Sequence, residues 1–99
     1  MSGRIALATW ESLVGKPFRI HAGPDREVHV SLAEVADLGR RERPGGALDC
    51  YALRFVCPEP GHLPQATYRL AGPEVGALDV FLVPIGPGPS GMLYEAIFN

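Results

Sequence analysis

Hydrophobic and polar residues alternate along most of this chain, with runs too short for long helices. In "REVHVSL" (26–32), Val28, Val30 and Leu32 alternate with Glu27, His29 and Ser31, the period-two signature of a strand with one buried face. The preceding "KPFRIHA" reads as its hairpin partner. The intervening "GPD" supplies turn chemistry, with glycine permitting unusual backbone angles and proline fixing one φ. "LDCYALRFVC" sets Tyr51, Leu53, Phe55 and Cys57 on one face and Cys50, Ala52, Arg54 and Val56 on the other. Arg54 beside small residues marks that second face as partly wet. "QATYRLA" sets Ala66, Tyr68 and Leu70 against Gln65, Thr67 and Arg69. "LDVFLVPI" is a near-continuous apolar run, the pattern of a central strand. Pro84 lacks a donor for the ladder and belongs at a strand end, bulge or edge. "MLYEAIFN" alternates Met92, Tyr94, Ala96 and Phe98 with Leu93, Glu95 and Ile97, and is expected to be a terminal strand tied into the sheet along its full length.

A different period governs "IALATWESLVG", where Leu7, Trp10, Leu13 and Val14 follow three- and four-residue spacing and Gly15 is a natural stop. This predicts a short helix held by packing, with Trp10 as its anchor. At 31–39 two readings compete. "SLAE" spells a capping box before "VADLG", whereas continued alternation extends the strand through Val35; the extended reading is favoured. "GRRERPGG" (Gly39 to Gly46) reads as a charged, flexible connection, and "AGPEVGA" and "GPGPSG" as turns.

These elements sum to about six strands and one short N-terminal helix, joined by hairpin-length connections. The predicted fold is therefore mainly β: a small antiparallel β-barrel or two-layer sandwich, with the helix over an open end or edge. The 99 residues suit a single domain over 1–99. Residues 1–4 are expected to be flexible, 5–15 to hold the helix and 16–99 to form the β-rich body.

Composition narrows the function classes. With 46% hydrophobic residues, 20% charged residues and a formal net charge of −2, the chain lacks the clustered positive charge that nucleic acid demands. Its N-terminal stretch has no continuous apolar signal region, and no run reaches the length of a spanning helix. The expected partners therefore exclude nucleic acid and membrane, and the expected location is the cytoplasm. Cys50 and Cys57 flank "YALRFV". Within one strand they point to opposite faces roughly 23 Å apart at 3.3 Å per residue, too far for a disulfide. Two free thiols are expected.

Three stretches, "LPQATYRL" (Leu63 to Leu70), "LDVFLVPI" (Leu78 to Ile85) and "YEAIFN" (Tyr94 to Asn99), stand in order with the earlier "GKPFRI" and "YALRF". Together they resemble an uncharacterised bacterial domain-of-unknown-function family of roughly one hundred residues. The resemblance covers most of the chain. It implies no catalytic residues, and associates the chain with neighbourhoods encoding tail-collar-like phage proteins, a hint towards assembly or a phage-tail-like adaptor role.

The candidate chemistry is sparse. His21, His29, His62, Cys50 and Cys57 are the metal-ligand types, yet no CxxC or HxxxH spacing joins them. Neither metal nor cofactor is expected. A thiol–imidazole pair would need Cys57 and His62 folded together across "PEPG". Ser90 sits in a turn rather than a nucleophile elbow, and Pro87 and Pro89 remove the backbone donors a phosphate loop needs. Arg40, Arg41 and Arg43 could grip an acidic partner. Tyr94 is expected in the core, with Glu95 facing out or paired with Arg54 or Arg69.

Strong fold signals without a catalytic constellation favour a non-catalytic protein-interaction or structural module that binds another protein or itself. The alternative is a small-ligand-binding β-barrel, in which Trp10, Tyr68 and Tyr94 line a mouth, with Tyr51, Phe55, Phe81 and Phe98 nearby. A hydrolase using Cys57 or a histidine is a third, minor reading.

Overall fold

The computed structural model describes residues 5–59 and 63–99. The chain order is α1 (Leu7–Ser12), β1 (Pro17–Gly23), β2 (Arg26–Arg43), β3 (Gly46–Cys57), β4 (Ala66–Gly72), β5 (Gly76–Gly88) and β6 (Gly91–Phe98). All strand pairs are antiparallel and close in the order β1-β2-β3-β6-β5-β4. The closed ring decides between the two expected architectures in favour of the barrel. The helix occupies only part of the predicted 5–15 window, and the expectation for residues 1–4 falls outside the described residues.

Hairpins account for four of the joins, while β3–β6 and β1–β4 are the long-range ones. β6 lies between β3 and β5, with Tyr51↔Phe98 through Cys57↔Met92 on one side and Val83↔Glu95 through Gly88↔Gly91 on the other. The strand is thus paired along its length, as the alternation predicted, with Ala96 to Phe98 held on the β3 side alone. Pro84 sits at a bulge between itself and Gly86, where its missing donor does no harm.

The ring is filled by side chains that the strand period turns inward. Phe18, Ile20, Leu32, Leu53, Phe55, Leu70, Leu82 and Tyr94 are buried there together with Trp10 and Leu13 from the helical segment. Phe18 meets Phe55 edge-on at a 5.6 Å centroid separation and Trp10 at 6.0 Å, spacings at which aromatic quadrupoles attract. Among the described residues no polar or charged residue is buried. Cys50 and Cys57 are both buried and unbridged.

One reading of the sequence needs correction. Residues Gly39 to Arg43 are not a flexible connection but the continuation of β2, with Gly39↔Cys50 through Arg43↔Gly46 paired to β3. The turn contracts to Pro44 and Gly45, where Gly45 at φ +92° and Gly46 at φ +136° reverse the chain tightly. Charged residues fit this strand because both its faces are wet. β5 lies between β4 and β6, as a central strand does, yet one of its faces is open: Phe81 is 52% and Ile85 43% exposed. A closed ring buries one face of each strand, so half of that apolar run faces outward.

Candidate interaction surface

β2 is longer than its neighbours can cover. β1 pairs with it only as far as Ser31. One residue on, Leu32 donates to the Lys16 carbonyl at 3.1 Å and accepts from the Gly15 amide at 2.8 Å. From there to Arg43, no described strand pairs with the far edge of β2, and its only paired strand is β3. Meanwhile β6 joins β3 only from Tyr51 onward. Residues 38–50 therefore form a two-stranded arm running past the ring, consistent with extents of 43 × 29 × 23 Å.

Two bulges shape the arm's base, between Leu32 and Glu34 and between Asp37 and Gly39. At the second, the Asp37 Oδ1 atom accepts the Gly39 amide at 2.9 Å, and Gly39 holds φ +94°, a conformation that favours glycine. The bulge changes the parity of the strand. Asp37 lies opposite Tyr51 and Arg40 opposite Asp49, so both share the face that continues the ring interior. Glu34, Ala36, Arg41 and Arg43 lie on the other face, opposite Arg54, Ala52, Leu48 and Gly46.

Arg40, Arg41 and Arg43 are all exposed on this arm. Arg40 Nε stands 3.3 Å from Asp49 Oδ1. At the arm's base a shallow cavity of about 170 Å³ is lined by Ile5, Ala6, Arg40, Ala47, Leu48, Asp49 and Tyr51. None of the aromatic trio Trp10, Tyr68 and Tyr94 lines it. Trp10 and Tyr94 are buried; Trp10 Nε1 donates to the Tyr51 hydroxyl at 3.0 Å, and the Tyr94 hydroxyl accepts the Leu63 amide at 2.9 Å. Tyr68 is half-buried on β4, its hydroxyl donating to the Pro64 carbonyl at 2.6 Å.

The ring's outer face carries a three-strand ion cluster. Arg54 on β3 donates through Nη1 to Glu34 Oε1 on β2 and through Nε to Glu95 Oε2 on β6, both at 3.0 Å. These hydrogen bonds, the Glu95 one foremost, raise the Arg54 pKa above its ordinary value. Of the two partners expected for Glu95, Arg54 is the one observed; Arg69 pairs with Asp79 at 2.9 Å. Exposed Ile97, at 55%, stands opposite Ala52 on the same face.

The other candidates stay apart. His21 and His29 are not directly opposed but flank Glu27, at 3.8 and 3.7 Å, with Arg19 at 4.0 Å from the same carboxylate. Among the described residues, no group of three or more His, Cys, Asp or Glu is placed to hold a metal ion. The Cys57 thiol lies 3.8 Å from the Glu59 carbonyl, while His62 lies outside the described residues. Ser90 is in the β5–β6 turn. What the sequence reading missed is the uncovered edge, which depends on where β1 ends relative to β2.

No helix of the described residues is long and apolar enough to cross a membrane. Neither the curated proteins nor the solved structures give a match. A family model does: residues 5–98 match the family described as Domain of unknown function (DUF6916), and the chain belongs to it.

Proposed function

We propose that this domain is a non-catalytic protein-interaction module serving an assembly or adaptor role, and that it makes contact through the β2–β3 arm. The observation that carries this reading is the arm itself: an exposed ribbon with a strand edge that no described strand covers, projecting from a ring whose interior is filled with apolar side chains. Unpaired strand edges are ready templates for another chain. Basic side chains on the arm would steer an acidic surface towards it.

Among the described residues, the cavity at the arm's base is a feature that favours the small-ligand reading. Its volume of about 170 Å³ falls below the roughly 300 Å³ at which pockets for drug-sized ligands begin. The interaction reading is therefore preferred.

A photoreactive amino acid at Leu38, which is 52% exposed on the arm, tests the reading in a lysate of the producing cells. The same probe at exposed Glu74 in the β4–β5 turn is the control. The reading expects a discrete adduct, with a partner or with a second copy, from Leu38 alone. Adducts of equal yield from both positions, or from neither, would sink it.

A further inference from the structure

The order of charges along the uncovered edge points to a particular occupant. From Glu34 to Arg43 the strand reads acidic before the Asp37–Gly39 bulge, with Glu34 and Asp37, and mainly basic after it, with Arg40, Arg41 and Arg43. An antiparallel copy of the same strand reverses that order. We propose that the arm is a self-association site, in which the β2 edges of two copies pair antiparallel about a two-fold axis at Leu38–Gly39. This rests on the interaction reading above and names its partner.

Face and charge both fit this register. A two-fold axis perpendicular to a sheet keeps each strand's faces on the same side, so paired residues must share a face. The bulge supplies that match. It puts Asp37 and Arg40 on the face continuous with the interior, and Glu34, Ala36, Arg41 and Arg43 on the outer face. Centred on the bulge, Asp37 then meets Arg40 of the second copy, Ala36 meets Arg41, and Glu34 meets Arg43. The symmetry repeats each contact, giving four acid–base pairs. Directly opposed opposite charges stabilise a strand pair and like charges destabilise it, so the edge selects its own reverse. Glu42 is the one acidic residue in the basic half, and it falls opposite Val35 rather than another carboxylate.

The ribbon's own energetics agree. Every residue from Asp37 to Ala47 is exposed, and a two-stranded hairpin without a covered face is marginal in water. Pairing of the two edges turns two such ribbons into one four-stranded sheet, β3-β2-β2-β3, through an isologous contact of the kind common in dimers. Bulges and charges also blunt edges against indiscriminate pairing. Here the signs of the charges penalise unrelated strands while admitting a second copy.

The full chain serves for the test, by light scattering over a concentration series, with melting curves to show that each variant is folded. Arg43→Glu is the first variant; it opposes Glu34 of the second copy and should weaken the dimer by about tenfold or more. Asp37→Arg and Arg40→Asp should each be monomeric alone, and an equimolar mixture should recover the dimer, since the two reversed charges meet across the axis. Loss of the Asp37 contact to Gly39 cannot mimic that recovery. A wild-type dimer indifferent to Arg43→Glu and to both reversals overturns this interface while leaving the interaction reading standing. So does a mixture that stays monomeric. A wild-type monomer at all concentrations overturns self-pairing, and a foreign protein cross-linked at Leu38 in that case assigns the edge to a different chain. Absence of any Leu38-specific adduct is the separate result that ends the interaction reading itself.

Discussion

Trp10 and Tyr51 lie 41 residues apart and meet inside the ring, where the indole Nε1 donates to the tyrosine hydroxyl at 3.0 Å. The same hydroxyl donates to the Ile5 carbonyl at 2.7 Å. One phenolic oxygen thus fastens both the helix and the segment before it to β3. A six-residue helix has little stability of its own, so this attachment and the burial of Trp10 hold it across the ring's end.

Tyr51→Phe keeps the ring and its 5.0 Å stacking on Phe98 but strands the buried indole N–H. The expected loss is about 1–3 kcal/mol, read from urea denaturation. Trp10→Ala removes the packing as well and should cost about 3–5 kcal/mol. Equal stability of Tyr51→Phe and wild type would show that the hydroxyl is not what anchors the helix.

Gly91 begins β6 at φ +140°, and a Cβ there would collide with the backbone carbonyl oxygen of Cys57. Backbone atoms cannot swing aside as a side chain would. Gly91→Ala should therefore destabilise by about 3 kcal/mol, at the upper end of overpacking costs, and lower the melting temperature accordingly. A variant melting within a degree or two of wild type would refute the placement of β6 against β3.

Phe81 and Leu82 are neighbours on β5 with opposite surroundings. Leu82 is fully buried, whereas Phe81 is 52% exposed. Phe81→Lys should change stability by no more than about 0.5 kcal/mol, while Leu82→Ala should cost about 2–5 kcal/mol. Paired thermal melts distinguish this from a strand buried on both faces, for which the lysine would be the worse change.

Arg54 links β2, β3 and β6 through Glu34 and Glu95, with its side chain 39% exposed and Glu95 19%. Partial exposure limits the worth of the cluster, so Arg54→Met should cost about 1 kcal/mol or less, shrinking as salt is added. The sign of its pH dependence follows from the raised Arg54 pKa. Stability from the charged guanidinium is fully present below the unfolded-state pKa and is lost only as pH rises through the still higher folded value. Between pH 6 and 9, the contribution of Arg54 ionisation should be flat, and a difference between Arg54→Met and wild type that changes across that range would contradict it.

Much of the ring was legible in the chain because period-two alternation reports which side chains a strand buries. Val28, Val30 and Leu32 inside, and Glu27 and His29 outside, follow from that period alone. The Arg54–Glu95 pair was foreseeable for the same reason: both are outward polar residues on strands able to lie side by side. Alternation says nothing about which strands are neighbours, and the remaining differences follow from this. The exposure of Phe81 is not legible in the chain, because an apolar run does not reveal whether its second face is covered. Trp10 and Tyr94 fill the core, as the helix anchor and the inward face of the last strand imply, rather than lining a mouth as the ligand-binding alternative requires. Arg40, Arg41 and Arg43 suggested a loop because charge and glycine are common there; an edge strand wet on both faces accepts the same residues. The uncovered edge of β2 is a difference in strand length, 18 residues against 7 for β1, which emerges only when the register is known.

The most direct test of the two-fold β2 edge contact is the mass of the wild-type chain in solution, followed by light scattering from micromolar to millimolar concentration. Self-pairing through the β2 edge gives a concentration-dependent rise from the 10.6 kDa chain to twice that mass, and no further, because a two-fold edge contact closes on itself. A mass that stays at that of one chain throughout, or climbs past two without limit, would contradict it.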